Sequence, residues 1–122
     1  MTEIAALKNF FDSIVTTYPT DNVPDDAQYP YLTFEPVIGF WEQGAVPVQC
    51  QLWHRTESDA AVNKLVRDIA HAIGYGGASV ACDGGWLWIK TGSPFAQTIV
   101  EHDDDTIKRR LLNVSVEFMT NY

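Results

Sequence analysis

The segment that most constrains the fold lies near the C-terminus, where apolar and polar residues alternate. Side chains alternate between the two faces of a β-strand with a period of two. The alternation therefore predicts a strand from about Ile107 to Met119, with one face buried in the core of a sheet. The apolar set on that face is Leu112, Val114, Val116 and Phe118, and the set on the other face is Leu111, Asn113, Ser115 and Glu117.

The length and composition indicate one folded domain spanning residues 1–122. The chain is 46% hydrophobic, which is typical of a globular protein with a single core. Its apolar runs are shorter than the ~20 residues needed to cross a bilayer, and no basic region precedes an apolar block at the N-terminus. We therefore expect no signal peptide, and we expect the protein to be in the cytoplasm of the cell that makes it. Cys50 and Cys82 are expected to be buried free thiols in strands.

The charge balance argues against several classes of partner. Sixteen acidic residues and eight basic residues give a formal net charge of -8. Tight DNA binding neutralises phosphates with a surplus of Lys and Arg, which this chain lacks. A role at an anionic membrane surface is disfavoured for the same reason. An acidic surface is compatible with repelling DNA from the wall of a conduit.

The first half of the chain predicts one helix followed by two strands. Apolar residues recur at helical spacing from Glu3 to Val15, with Thr2 as the N-cap. The segment 20–30 is rich in Asp and Pro and predicts an exposed loop. Tyr31–Phe40 is expected to form a first strand, and the alternating residues from Val46 to Trp53 a second strand. Joined by a turn at 41–44, they predict a β-hairpin.

The second half predicts a helix followed by three or four strands. Thr56–Asp59 matches the pattern of a helix start, and Gly74 is expected as the C-cap. Asp83-Gly84-Gly85 predicts a hairpin turn between two short strands. Gly92-Ser93-Pro94 is expected to break the chain before a separate strand at 95–100. The helical stripe between start and cap consists of Val62, Leu65, Val66, Ile69 and Ile73.

This order of elements predicts an α+β domain, in which two α-helices pack on one face of a mostly antiparallel β-sheet. The chain has no phosphate-binding glycine loop, because the glycines at 74–77 follow a helix instead of preceding one. It also has no nucleophile elbow and no zinc-protease motif. We therefore assign no catalytic, cofactor-binding or metal-binding residue, and we expect the protein not to be an enzyme.

Two clusters of histidine and acidic residues are compatible with a chemical site, although the sequence pattern at each is weaker. His54 with Glu57 and Asp59 is compatible with an acid–base or metal cluster, but the carboxylates are better explained as partners of the helix N-terminus. His102 with the aspartates at 103–105 is compatible with a weak cation site that forms on assembly. The calcium-loop pattern is absent there, and a solvated acidic turn is the simpler interpretation.

Two sets of residues are candidates for contacts with other molecules. Several tryptophans on one sheet face suggest a protein interface, although a sheet covered on both faces would bury them in a core. An acidic tip is followed directly by a basic cluster, and neighbouring subunits or a channel could use these opposite charges. The tryptophans are Trp41, Trp53, Trp86 and Trp88; the acidic tip is Glu101, Asp103, Asp104 and Asp105; the basic cluster is Lys108, Arg109 and Arg110.

The order of segments resembles the tail terminator (tail-completion, or minor tail) proteins of long-tailed bacteriophages. The resemblance rests on an N-terminal amphipathic helix and on Pro30-Tyr31-Leu32-Thr33-Phe34 at the opening of the first strand. It also rests on Gln49-Cys50-Gln51-Leu52-Trp53-His54 running into the helix at 58–73, and on the acidic turn that leads into residues 109–118. It covers nearly the whole chain as a pattern of elements without a catalytic signature.

The resemblance implies a structural virion protein of the tail or neck. Such proteins form hexameric rings that cap the tail tube, end its polymerisation and join the tail to the head. The implied partners are further copies of the chain, the tail tube protein and the head–tail connector protein, with DNA only passing through the lumen and no membrane involved. Related head–tail joining proteins are similar in size and fold.

Two alternatives from other classes stay open. One is a small α+β ligand-binding or enzymatic domain, with the aromatic hairpin as a pocket wall and His54 or His102 as its polar group. The other is a bacterial interaction module unrelated to phage.

Overall fold

The alternating segment near the C-terminus is a 14-residue strand in the interior of a six-stranded sheet. The computed structural model describes residues 1–35, 44–99 and 106–120. Two α-helices accompany the sheet. In chain order the elements are α1 (Glu3–Asp12), β1 (Thr17–Pro19), β2 (Tyr31–Phe34), β3 (Ala45–Arg55), α2 (Asp59–Ile73), β4 (Ala78–Cys82), β5 (Gly85–Ile99) and β6 (Ile107–Thr120).

The sheet has the strand order β1-β2-β3-β6-β5-β4. Only the short β1–β2 pair is parallel, and the other four pairs are antiparallel. The predicted α+β class, with a mostly antiparallel sheet, is confirmed. Because β6 lies between β3 and β5, this strand brings the two halves of the chain into one sheet.

Both helices pack on the same face of the sheet, where they form the core. Leu7 and Phe11 of α1 and Val62 and Ile69 of α2 are fully buried there. The apolar face predicted for β6 is confirmed, since its members are buried or packed against the core. The core residues of the sheet are Leu32, Phe34, Val48, Cys50, Leu52, Leu87, Ile89, Leu112, Val114 and Val116.

The helix ends follow from local hydrogen bonding. The Thr2 side chain accepts a hydrogen bond from the Ala5 amide at 3.1 Å, as predicted for an N-cap. The second helix begins two residues later than the Thr56 pattern predicted, because the Ser58 side chain accepts from the Ala61 amide at 3.3 Å. Gly74 ends α2 with φ of 80°, a conformation that favours glycine.

Two boundary predictions were wrong. α1 ends at Asp12 instead of Val15, and the short strand β1 that follows it, at Thr17–Pro19, was not predicted. The break expected at 92–94 is a bulge inside the single strand β5, whose register shifts between Thr91 and Ala96. The bulge is held to β6 by the Asn113 side chain, which donates to the Pro94 carbonyl at 3.0 Å.

Cys50 and Cys82 are free thiols in strands, as expected, but only Cys50 is fully buried. Burial raises the pKa of Cys50 to about 12. Neither described helix is long and apolar enough to cross a membrane. The predicted strand residues 36–40, the turn residues 41–43 and the acidic tip at 101–105 lie outside the described residues.

Candidate functional site

The face of the sheet opposite the helices carries the largest group of aromatic and cationic side chains. Strand alternation places these residues there, because each is a neighbour of a core residue that points to the other side. No described helix lies on this side, which we call the open face. Its aromatic and cationic members include Tyr18, Tyr31, Trp53, Arg109, Trp86 and Trp88.

Four of these side chains form a row across β1, β2, β3 and β6. The rings of Tyr18 and Tyr31 meet edge to face, with centroids 5.9 Å apart. Tyr31 stacks on Trp53 at 6.0 Å with an interplanar angle of 13°. The Arg109 guanidinium carbon lies 4.0 Å from the centre of the Trp53 ring, within the range of a cation–π interaction. We call this row the aromatic–arginine ladder.

The register of the sheet produces the ladder. Tyr31 is paired directly with Trp53, and Trp53 is paired directly with Arg109. Cross-strand partners of this kind have Cβ atoms about 5 Å apart, so large flat side chains must stack on each other. The ladder is therefore a consequence of strand pairing between segments that are far apart in sequence.

Hydrogen bonds hold the middle of the ladder in place. The Trp53 indole Nε1 donates to Thr33 Oγ1 at 3.1 Å. Arg109 Nη2 donates to Gln51 Oε1, so the guanidinium is fixed from the side while it covers the indole. Thr33 is 5% exposed. These contacts restrict the side-chain rotamers before any partner binds, which lowers the entropy cost of binding.

A second aromatic–cation contact flanks the ladder. Tyr29 lies 5.3 Å from Tyr31, and the Arg55 guanidinium carbon lies 5.1 Å from the centre of the Tyr29 ring. Burial, and then the neighbouring Tyr29, raise the pKa of the Tyr31 hydroxyl. The hydrogen bond between the Tyr31 and Tyr29 side chains contributes to this pKa shift and joins the flanking contact to the ladder.

Trp86 and Trp88 form a separate cluster on the same face. Trp86 is 48% exposed, whereas the Trp88 indole donates to the Gly76 carbonyl at 2.9 Å and is covered by Lys90 at 4.0 Å. Trp86 is paired with Met119 at the far end of β6 from Arg109. Arg109 and Met119 are ten positions apart on β6, which corresponds to a distance of about 33 Å along the strand. The predicted tryptophan set is thus two patches, and Trp41 lies outside the described residues.

The basic cluster predicted at 108–110 is not one surface. Arg110 points to the helix side and is only 6% exposed. It donates to Asp59 Oδ1 and to Asn63 Oδ1, both at 3.2 Å, and so ties β6 to the start of α2. Lys108 alternates to the same side as Arg110 and is half-buried, paired with His54 of β3. Of the three, Arg109 belongs to the open face. The acidic residues Glu101, Asp103, Asp104 and Asp105 lie outside the described residues.

His54 and Asp59, two members of the candidate acid–base cluster, have different surroundings. Burial lowers the pKa of His54, which favours the neutral imidazole. Asp59 is in the first turn of α2, as the sequence suggested, and is occupied by Arg110. Among residues 1–35, 44–99 and 106–120, no group of three or more His, Cys, Asp or Glu side chains is arranged to hold a metal ion.

Sequence reasoning missed four members of the ladder region: Tyr18, Tyr29, Tyr31 and Arg55. The alternation of Tyr31 and Thr33 with the buried Leu32 and Phe34 was a usable signal for the open face. Tyr18 gave no such signal, because its strand has three residues. No protein-family model matches the chain, and no curated protein matches it either.

Proposed function

We propose that the protein is a structural virion protein of the tail terminator type, which self-associates into a ring at the end of a phage tail tube. The observation that carries the proposal is the aromatic–arginine ladder on the face opposite both helices. The order of segments that resembles tail terminators adds to it. In this role the protein ends tube polymerisation and joins the tail to the head connector.

The composition of the ladder suits a protein interface. Tyr, Trp and Arg are the residues most enriched among those that dominate binding energy at interfaces. Trp53 and Arg109 are fixed by hydrogen bonds within the chain, as expected of anchors that are ordered before binding. A ring interface joins two different patches of neighbouring subunits, so the ladder would meet another surface of the next copy.

The charge of the chain fits a conduit for DNA better than a DNA-binding site. Stacked aromatic side chains also occur in proteins that bind single strands, where they lie in a positively charged groove. This chain has a formal net charge of -8, so phosphates would be repelled from most of its surface. DNA passing through a ring of such subunits would slide without being held.

The test is tube termination with purified components. The partner would be a tail tube protein encoded near this gene, and its tubes would be polymerised with and without the chain. We expect added chain to shorten the tubes and to place a ring at one tube end in electron micrographs. Arg109→Gln should weaken this effect, because it removes the charge above Trp53 while keeping a polar side chain.

Trp86→Ala is the matched control, since it removes an exposed aromatic residue from the same face at the other end of β6. It should terminate tubes as the wild type does. Tubes of unchanged length with unmodified ends would contradict the proposal. A gene neighbourhood without portal, capsid or tube genes would also count against it. A small-molecule screen by thermal shift would then test the ligand-binding alternative.

A further inference from the structure

The two edges of the sheet differ in whether another strand can join them. At the β1 edge, the Thr17 amide already donates to the Asp12 carboxylate at 2.8 Å. Pro19, at the end of the same strand, has no amide hydrogen to donate. Short strands and prolines are common means of closing an edge against pairing. The β1 edge is therefore closed.

The β4 edge is open over its central residues. The two-residue loop Asp83-Gly84 makes Cys82 and Gly85 a hydrogen-bonded pair, so every second residue of β4 directs its backbone towards β5. Ser79 and Ala81 then direct their amide and carbonyl groups outward, and both residues are exposed. At the end of this edge, the Asp83 amide donates to the Met1 carbonyl at 2.7 Å.

The residues of β4 lack the features that protect sheet edges. The strand reads Ala-Ser-Val-Ala-Cys, with no charge, no proline and no bulge. Exposed apolar side chains lie beside it. Tyr75 precedes the strand and is fully exposed, and Trp86, 48% exposed, is paired with Ala81 on the open face. An open, uncharged edge next to exposed aromatic rings is a surface suited to strand addition.

We propose that β4 pairs antiparallel with β4 of a second copy of this chain, about a two-fold axis at Val80. In this register Ser79 of each copy lies opposite Ala81 of the other, and the outward backbone groups of both residues form about four hydrogen bonds. No charge opposes a like charge, because β4 has none. The small side chains of Ser79 and Ala81 leave room for Trp86 to be covered by the second copy.

This contact goes beyond the proposed ring. A two-fold contact uses the same patch on both copies and closes after two, whereas a ring repeats two different patches. The ladder and β4 also lie on different parts of the sheet, since the ladder crosses β1, β2, β3 and β6. The β4 contact therefore joins two chains, or two rings, without competing with the ladder.

Cysteine cross-linking tests the register, in a Cys82→Ser background that removes the native thiol on the same strand. Val80→Cys should form an intermolecular disulfide under mild oxidation, because facing residues at a two-fold axis have Cα atoms about 4.5 Å apart. Ala81→Cys alone should not, since its counterpart is diagonal and about 7–8 Å away. An equimolar mixture of Ser79→Cys and Ala81→Cys chains should cross-link. Failure of Val80→Cys, or equal cross-linking of Ala81→Cys alone, would overturn the proposal.

Light scattering on Ala81→Lys tests the contact without covalent chemistry. Lysine at this exposed edge position leaves the backbone pairing with β5 intact. It adds an edge-protecting charge to each copy, and the two charges lie at diagonal positions about 7–8 Å apart across the two-fold axis. The wild type should have a mass that is an even multiple of 13.7 kDa, and the variant should have half of it, with an unchanged circular dichroism spectrum. A monomeric wild type, or a variant with the same mass as the wild type, would overturn the proposal. A variant mass below half that of the wild type would also overturn it, because it would show that β4 belongs to the ring interface.

Discussion

Arg109 and Arg110 are adjacent on β6, and their guanidinium groups lie on opposite faces of the sheet. Arg110 is buried against α2 and makes hydrogen bonds to Asp59, Asn63 and the Arg109 carbonyl. Arg109 lies over Trp53 on the open face. A buried charge must be paired to be tolerated, so Arg110 serves the fold. The same residue type one position earlier is part of a surface, and neighbours in sequence thus take on separate roles.

The largest expected difference between the two faces is in the free energy of unfolding that is lost when one of two adjacent leucines is replaced by alanine. Leu112→Ala removes a fully buried side chain from the core and should lower the free energy of unfolding by about 2–5 kcal/mol. Leu111→Ala, on the half-buried open face, should cost less than about half as much. Chemical denaturation of both variants measures the difference. Equal losses would show that the open face is packed as tightly as the core.

Substitution of the two arginines should show the same order with smaller losses of stability: the residue on the helix side, Arg110, should cost more than Arg109 on the open face. Arg110→Met keeps an apolar stem but removes the hydrogen bonds that tie β6 to α2, at a cost of about 1–2 kcal/mol. Asp59, the acidic partner, stays exposed and hydrated, which limits the loss. Arg109→Met should cost about 0.5–1 kcal/mol through the lost contact with Trp53 and the lost hydrogen bond to Gln51, because both lie on a half-buried surface that water can reach. A larger loss of stability for Arg109→Met than for Arg110→Met would reverse the assignment of the two faces.

The coupling energy between Tyr31 and Trp53 measures how strongly side chains on the open face stabilise each other. Tyr31 and Trp53 stack across two paired strands, and such aromatic pairs contribute about 0.5–1.5 kcal/mol beyond burial. A double-mutant cycle with Tyr31→Leu and Trp53→Leu isolates this contribution from the separate losses. Additive effects of the two substitutions would mean that the stack does not order the surface.

The smallest expected effect is a pH dependence of the free energy of unfolding through His54, which lies near the end of β3 on the helix side of the sheet. Burial lowers the pKa of His54 below its ordinary value of 6.5, so the unfolded chain binds the proton more readily than the folded chain. Protonation of His54 therefore leaves stability unchanged above about pH 6.5 and lowers it as the pH falls from there through the lower pKa of the folded chain. Between pH 7.5 and 5.5 the wild type should therefore lose more stability than His54→Asn. His71→Asn is the matched control on the exposed side of α2, and identical pH profiles for wild type and His54→Asn would contradict the prediction.

Much of the fold could be predicted from local patterns. The alternation in β6 identified its buried face, because a one-residue shift would have exposed the apolar side chains from Leu112 to Phe118 that form this face. The stripe on α2 and the glycine at its end were equally informative. The errors arose where two local signals compete. Ser58 and Thr56 both suit a helix start, and Gly92 to Pro94 breaks a pattern without ending the strand.

The ladder could not be predicted in the same way. Its members Tyr18, Tyr31, Trp53 and Arg109 come from four strands. The pairing of β1, β2 and β3 brings the three aromatic rings together, and Arg109 joins them because β6 lies beside β3. Alternation assigns a side chain to a face, but strand order and register decide its neighbours. This is why the predicted set of tryptophans forms two patches. It is also why the predicted basic cluster places Arg109 on the open face and Arg110 on the helix side, where its buried guanidinium pairs with the exposed Asp59.

The most direct test of the proposed function is the mass of the particle formed by the Ala81→Lys variant, in which the β4 contact is removed. Native mass spectrometry would be recorded across salt and protein concentrations, with and without the tail tube protein. We expect a discrete ring of six chains of 13.7 kDa each, formed by the protein alone or induced by the tube protein. Single chains of 13.7 kDa under every condition, the tube protein included, would contradict it.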